Sequence, residues 1–300
     1  MTKIQILDGG MGRELNRIGA PFRQPEWSAL ALLEGPEFVR RAHDSFIESG
    51  ARIITTNSYA VVPFHLGQER FAARGTELAA LAAQIARAAA DAARDTVLVA
   101  GSLPPALGSY RPDLFDHDQS VAIHRRLIAG MADHVDVWLA ETQSSLAEVQ
   151  AAAEALAGSA KPLWISYTLA DDPDDVQPVP SLRSGESIAD AVAAALRLGA
   201  KAILFNCSQP EVMEPALAVA SAAISAHGSA VALGVYANAF PPQRKNAAAN
   251  ADLDELRPDV SEETYRVWAR RWADAGATII GGCCGIGPEH IRVLAGDLAT

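Results

Sequence analysis

The chain has 300 residues, and its 25 Lys+Arg against 36 Asp+Glu give a formal net charge of −11 at pH 7, which argues against a nucleic-acid or anionic-membrane surface. With 49% hydrophobic and 20% charged residues it can bury a large core, so wholesale disorder is excluded. No apolar run reaches the length of a membrane-spanning helix, the N-terminus MTKIQILDGG lacks the apolar stretch of an export signal, and three cysteines are too few for a disulfide scaffold; the reading is a cytoplasmic protein.

Eight short apolar runs follow in order, at 4–7, 52–56, 97–100, 135–140, 162–167, 202–205, 231–236 and 278–281. Each is nearly continuous rather than alternating, as expected of parallel strands covered on both faces. Alanine-rich segments of helical period lie between them, among them 77–94, 146–157, 187–198 and 261–275. Gly50, Gly199 and Gly276 stand where helices should stop. Eight strands alternating with helices predict an α/β chain folded as a (βα)8 TIM barrel in a single domain. An open doubly wound sheet is the competing topology.

In a barrel the active site is assembled beyond the C-terminal strand ends, and these exits carry most of the reactive side chains. After the first run comes Asp8-Gly9-Gly10-Met11-Gly12, which lacks the third glycine of a dinucleotide fingerprint. An aspartate among backbone N–H groups suits instead the ammonium and carboxylate of an amino acid. Asn57-Ser58-Tyr59 follows the second run. Glu141-Thr142 follows the fourth, where the glutamate either faces the barrel mouth as a second anion or caps the next helix. The segment 170–185, with Asp171, Asp172, Asp174 and Asp175, lacks calcium-loop spacing and reads as a solvated loop.

Cys207 follows the sixth run, Tyr236-Ala237-Asn238 closes the seventh, and Cys283-Cys284 follows the eighth within Gly281-Gly282-Cys283-Cys284-Gly285. Three thiolates can bind zinc and leave a fourth, catalytic position open. Buried core cysteines or an adjacent-residue disulfide are the alternatives. All three cysteines at strand exits favour the metal. The seven histidines show no HxxxH or HExxH spacing, and neither a nucleophile elbow nor a P-loop is present.

Taken together, Asp8-Gly9-Gly10-Met11-Gly12, 54–59 (Ile-Thr-Thr-Asn-Ser-Tyr), Glu141-Thr142, Phe205-Asn206-Cys207-Ser208 and the Gly-Gly-Cys-Cys-Gly segment resemble the homocysteine S-methyltransferase family. The resemblance implies that residues 1–300 form one homocysteine-binding barrel with Zn²⁺ on Cys207, Cys283 and Cys284. Homocysteine's thiolate would take the fourth position. Asp8 and Glu141, with Thr142 beside them, would hold its ammonium, and backbone N–H groups at Gly9 its carboxylate. Tyr236-Ala237-Asn238 occupies the place of the family's Tyr-Pro-Asn, where the asparagine oxygen can lie near the metal in the absence of substrate.

The implied reaction moves a methyl group from a small sulfonium donor, S-methylmethionine or S-adenosylmethionine, to homocysteine, giving methionine. The thiolate is activated by the metal, so no catalytic base is expected. The donor would meet loops 102–115 and 239–258. A chain ending one helix after the cysteine pair reads as a stand-alone transferase rather than a complete methionine synthase. Two alternatives stay open: methylation of another thiol or selenol such as selenocysteine, and a non-catalytic zinc- or thiol-binding barrel.

Overall fold

The computed structural model describes residues 4–172, 179–242 and 255–299. The eight strands are β1 Gln5–Ile6, β2 Ile53–Thr55, β3 Leu98–Leu103, β4 Val137–Gln143, β5 Leu163–Tyr167, β6 Ala202–Asn206, β7 Ala232–Ala237 and β8 Ile279–Gly282. The helices are α1 Met11–Arg17, α2 Ala29–Glu34, α3 Pro36–Glu48, α4 Pro63–Leu66, α5 Gln68–Ala92, α6 His117–Met131, α7 Leu146–Ala155, α8 Ile188–Arg197, α9 Pro210–Ala226, α10 Glu262–Asp274 and α11 Pro288–Leu298.

All strand pairs are parallel, in the order β1-β8-β7-β6-β5-β4-β3-β2. The parallel bridge between Leu7 and Ile53 joins the two ends, helped by the Asp8 N–H donating to the Ile53 carbonyl at 2.9 Å. The sheet is thus a closed eight-stranded barrel, and the open-sheet alternative falls. Each predicted run carries a strand.

Closure explains the continuous apolar runs. Leu7, Ile53, Ala100, Leu139, Leu204 and Ile279 pack together inside the barrel. Their neighbours one residue away, such as Ile6, Ile54, Val99, Ile203 and Ile280, pack in a separate cluster with helix residues, as the two-residue period requires. Gly50, Gly199 and Gly276 have φ of 108°, 74° and 102° and stand just past α3, α8 and α10, as expected. Ser145, Ser187 and Ser261 accept N–H bonds from the first turns of α7, α8 and α10, supplying the orphan donors there with partners. Among the described residues no helix is long and apolar enough to cross a membrane.

β3 and β4 run farther than their apolar cores suggest. Glu141 and Thr142 therefore lie inside the end of β4 rather than after it. There β4 is irregular: Ala140 pairs with Ile165 and Gln143 with Tyr167, so three steps on β4 oppose two on β5. Thr142, at φ 59°, occupies this bulge. An extra residue re-aims the side chains beside it, and here it turns Glu141 into the barrel mouth.

Candidate active site

The strand exits enclose a cavity of about 280 Å³. Asp8, Gly9, Glu141, Cys207, Cys283 and Cys284 all line it. Thr142 and Asn238 are buried behind this lining.

The first acid is Asp8. Its carboxylate accepts the Thr55 N–H at 2.7 Å and the Thr55 hydroxyl at 3.1 Å, so β2 sets its orientation. Burial, the larger effect, outweighs those bonds and pushes its pKa up to about 8, with the Glu141 charge adding to the rise. Glu141 is bonded to the Ser102 hydroxyl and accepts from the Tyr236 phenol at 3.4 Å. Burial raises it to about 7 despite both bonds. Two buried carboxyls facing one cavity form a site that gains from an incoming cation, because ionising either alone is costly.

Glycines let the first exit approach the last. A Cβ on Gly10 would lie 2.5 Å from the Cys283 carbonyl oxygen and 3.1 Å from Cys284 Cα. On Gly9 it would lie 2.3 Å from the Ile286 carbonyl oxygen. These obstacles are backbone, which cannot swing aside. The Gly10→Ala variant is therefore expected to lose about 1–3 kcal/mol of stability, the usual cost of overpacking, because the Cys283–Cys284 backbone must shift. Urea unfolding checks this; a variant indistinguishable from the parent would contradict the close approach.

The three cysteines meet as the sequence suggests. Their sulfurs lie within 4.8 Å of one another. Cys207 and Cys283 are joined as a disulfide, with Sγ–Sγ 2.12 Å, and Cys284 stands outside that bond. The bond joins residues 76 apart, not the adjacent Cys283-Cys284 pair between which the sequence offers a disulfide as an alternative. Hydrogen bonds hold the cysteine-bearing backbone: the Cys207 N–H donates to the Tyr236 carbonyl at 3.3 Å and the Cys283 N–H to the Ala237 carbonyl at 2.8 Å.

Asn206, beside Cys207, binds the β4 bulge to this centre. Its Oδ1 accepts the Thr142 N–H at 3.0 Å and the Ser166 hydroxyl at 2.7 Å, while its Nδ2 donates to Thr142 Oγ1 at 2.8 Å. Thr142 thus spends its polar groups on the scaffold. Asn238 donates its N–H to the Ser208 carbonyl, and its Oδ1 accepts the Phe240 N–H at 3.3 Å.

Strain gathers at this mouth. The four non-glycine residues with positive φ among those described are Trp27, Tyr110, Thr142 and Cys207, at 50°, 65°, 59° and 50°. Trp27, Tyr110 and Cys207 line the cavity, and such backbone persists only where surrounding contacts hold it. Trp27, Phe240 and Arg13 also line the cavity, and neither they nor Arg183 stands in a motif that marks it as a site residue. Asp171 is buried and paired with Arg183 at 2.9 Å, not solvated as its segment suggests; Asp174, Asp175 and most of 239–258 lie outside the described residues.

Residues 5–298 match the sequence profile described as homocysteine S-methyltransferase. The chain belongs to the homocysteine S-methyltransferase family. Within that family it is 30% identical to the homocysteine S-methyltransferase of Escherichia coli K12, across 97% of this chain and 94% of that one. It is 29% identical to the selenocysteine Se-methyltransferase of Brassica oleracea var. italica, across 96% and 87% respectively. The crystal structure of the E. coli homocysteine methyltransferase MmuM in its metallated form superposes with a TM-score of 0.77, at 29% identity, over 98% of this chain and 96% of that one. The fold and the methyltransferase class of this chain follow from that membership.

Proposed function

We propose that the chain transfers a methyl group from a small sulfonium donor to the thiolate of homocysteine, giving methionine, with zinc held by Cys207, Cys283 and Cys284. The observation that carries this reading is the convergence of three cysteine sulfurs beside two buried carboxyls on one cavity. The donor set suits zinc: reduced, the cysteines offer three soft thiolates and leave a tetrahedral position for a substrate sulfur. The chemistry zinc supplies when bound is a substrate thiol deprotonated at neutral pH with its sulfur still nucleophilic.

The chain's own residues do the remaining work. Asp8 and Glu141 take the ammonium of homocysteine. The Gly9 N–H takes its carboxylate, since the Gly10 N–H already donates to the Ile286 carbonyl at 2.8 Å. Thr142 serves the ammonium site by holding the bulge that aims Glu141. Asn238, whose Oδ1 accepts the Phe240 N–H, would give up that bond to lie near the metal when homocysteine is absent. In the methyl step the homocysteine sulfur forms the new S–CH3 bond, and the donor's S–CH3 pair returns to the donor sulfur, which leaves as a neutral thioether. Opposite charges cancel as the bond forms, so no side chain need move a proton; positioning accounts for much of the rate.

Methionine formation from homocysteine with S-methylmethionine or S-adenosylmethionine, before and after chelation and zinc restoration, tests the reading. Zinc-dependent product is expected, and full activity in metal-free protein would overturn it. The similarity to a selenocysteine Se-methyltransferase motivates a competition arm with selenocysteine, in which homocysteine is expected to be preferred.

Proton linkage gives an independent check. Free Asp8 and Glu141 sit near 8 and 7, and an ammonium favours their ionised forms. Methionine, which has no thiol to titrate, is expected to bind more tightly as pH rises from about 6 to 8 and to release protons on binding near pH 7. Calorimetry in buffers of different ionisation heat measures that release; affinity independent of pH would contradict the ammonium site.

A further inference from the structure

Among the described residues of the β5–α8 segment, the Thr168 hydroxyl donates to the Cys207 carbonyl at 3.3 Å, and beside it stands Arg183, which is only 6% exposed. Its guanidinium makes three separate kinds of contact. Nη2 lies 2.9 Å from the Asp171 carboxylate, itself fully buried. Nε donates to the Thr168 hydroxyl at 3.0 Å, and Nη2 reaches the Cys207 carbonyl at 3.5 Å. Its plane lies over the Tyr110 ring, 4.4 Å from the centroid. Asp171 in turn accepts the Gln209 N–H at 3.2 Å, the residue that opens α9.

Two of the residues Arg183 touches, Cys207 and Tyr110, are among the four with positive φ, and both face the cavity. They come from different exits, β6 and the β3–α6 segment, and both conformations are uncommon for a side-chain-bearing residue. A planar fork is suited to this task because it can donate in its plane and stack on its face together; lysine cannot do both.

We propose that Arg183 is a positioning residue that locks the Cys207 exit and the Tyr110 wall into one unit, coupling the grip on the metal to the shape of the methyl-donor side of the cavity. This rests on the zinc methyltransferase reading given above. Arg183 touches no reacting atom in this scheme. Its effect is exerted through the Cys207 carbonyl and the Tyr110 ring.

The test compares the parent protein with Arg183→Lys, Arg183→Met and the double variant Asp171→Asn/Arg183→Met, which avoids leaving a buried carboxylate alone. Each reduced protein is loaded with zinc and challenged with a chromophoric chelator, and KM is measured separately for homocysteine and S-methylmethionine. The expected result is zinc loss about tenfold faster or more, in the range seen when outer partners of metal ligands are removed, and a several-fold rise in KM for S-methylmethionine exceeding any rise for homocysteine. Arg183→Lys should keep the defect in part, since it restores charge without the fork. A merely structural residue would lower the unfolding midpoint without this split. Variants that retain zinc like the parent and show unchanged or equally raised KM values would overturn the proposal. Should Arg183→Met fail to fold, Arg183→Lys and the double variant are judged by the same two readouts. A parent that neither binds zinc nor methylates homocysteine refutes the underlying reading instead, which keeps the two failures distinct.

Discussion

The Cys207→Ser variant is expected to lose its zinc and, with it, methionine formation. Serine differs from cysteine by one atom, so it occupies the φ 50° backbone and the buried position without a new steric demand. Its hydroxyl remains protonated at neutral pH and is a hard, poor ligand for an ion that favours thiolate at about 2.3 Å. The loss should exceed the roughly 10–100-fold that removal of an outer-shell partner costs, because a ligand itself is gone. Measured under reducing conditions, where the Cys207–Cys283 bond is open in the parent, the variant should retain a cooperative thermal transition. Metal content by mass spectrometry and single-turnover product formation supply the readouts. A serine variant with stoichiometric zinc and unimpaired turnover would refute the role given to Cys207.

Glu141→Gln has the second-largest expected effect, and it separates function from stability. The amide can still accept from Tyr236, yet it carries no charge for an ammonium. Losing one charge-assisted hydrogen bond of about 1.5–3 kcal/mol corresponds to a rise of roughly 10–150-fold in KM for homocysteine, with KM for the donor changing little. Stability should move the other way. The folded protein holds Glu141 near pKa 7 against a usual 4.5, because burial penalises the carboxylate. Between about pH 4.5 and 7 the folded state keeps a proton that the unfolded chain releases, so folding stability falls as pH rises through that window. Above it the whole penalty is present. Glutamine removes it, and the variant should outlast the parent toward urea at pH 8, with the gap narrowing toward pH 5. A variant with unchanged homocysteine KM, or one less stable than the parent at pH 8, would contradict the assignment.

How much of this was legible in the sequence follows from where each signal comes from. The eight strands show because a closed parallel barrel buries both faces, leaving uninterrupted runs such as Ala-Ile-Leu-Phe at the start of β6. The ends of β3 and β4 are hidden because Gly101-Ser102 breaks the apolar run of β3 before Leu103 and residues 141–143 of β4 are polar, so composition there resembles a loop. The cysteines show because strand exits are few and all three cysteines occupy them. Their nearness to Asp8 follows from glycines whose missing Cβ atoms permit the Gly10–Cys283 approach. The β4 bulge leaves no local mark: Thr142, at φ 59°, is held by Asn206, which is 64 residues away in sequence. Arg183 and Asp171 are hidden for a similar reason. An acidic, proline-bearing segment looks solvated, and the burial of these two side chains depends on packing against Tyr110 and the exit of β6, which no periodicity encodes.

Zinc K-edge X-ray absorption on the reduced, zinc-loaded protein reads the coordination sphere directly. Three sulfur ligands at about 2.3 Å are expected at rest, rising to four when homocysteine is added. A sphere with fewer than three sulfurs, or one unchanged by saturating homocysteine, would contradict the assignment of Cys207, Cys283 and Cys284 as the centre that receives the substrate thiolate.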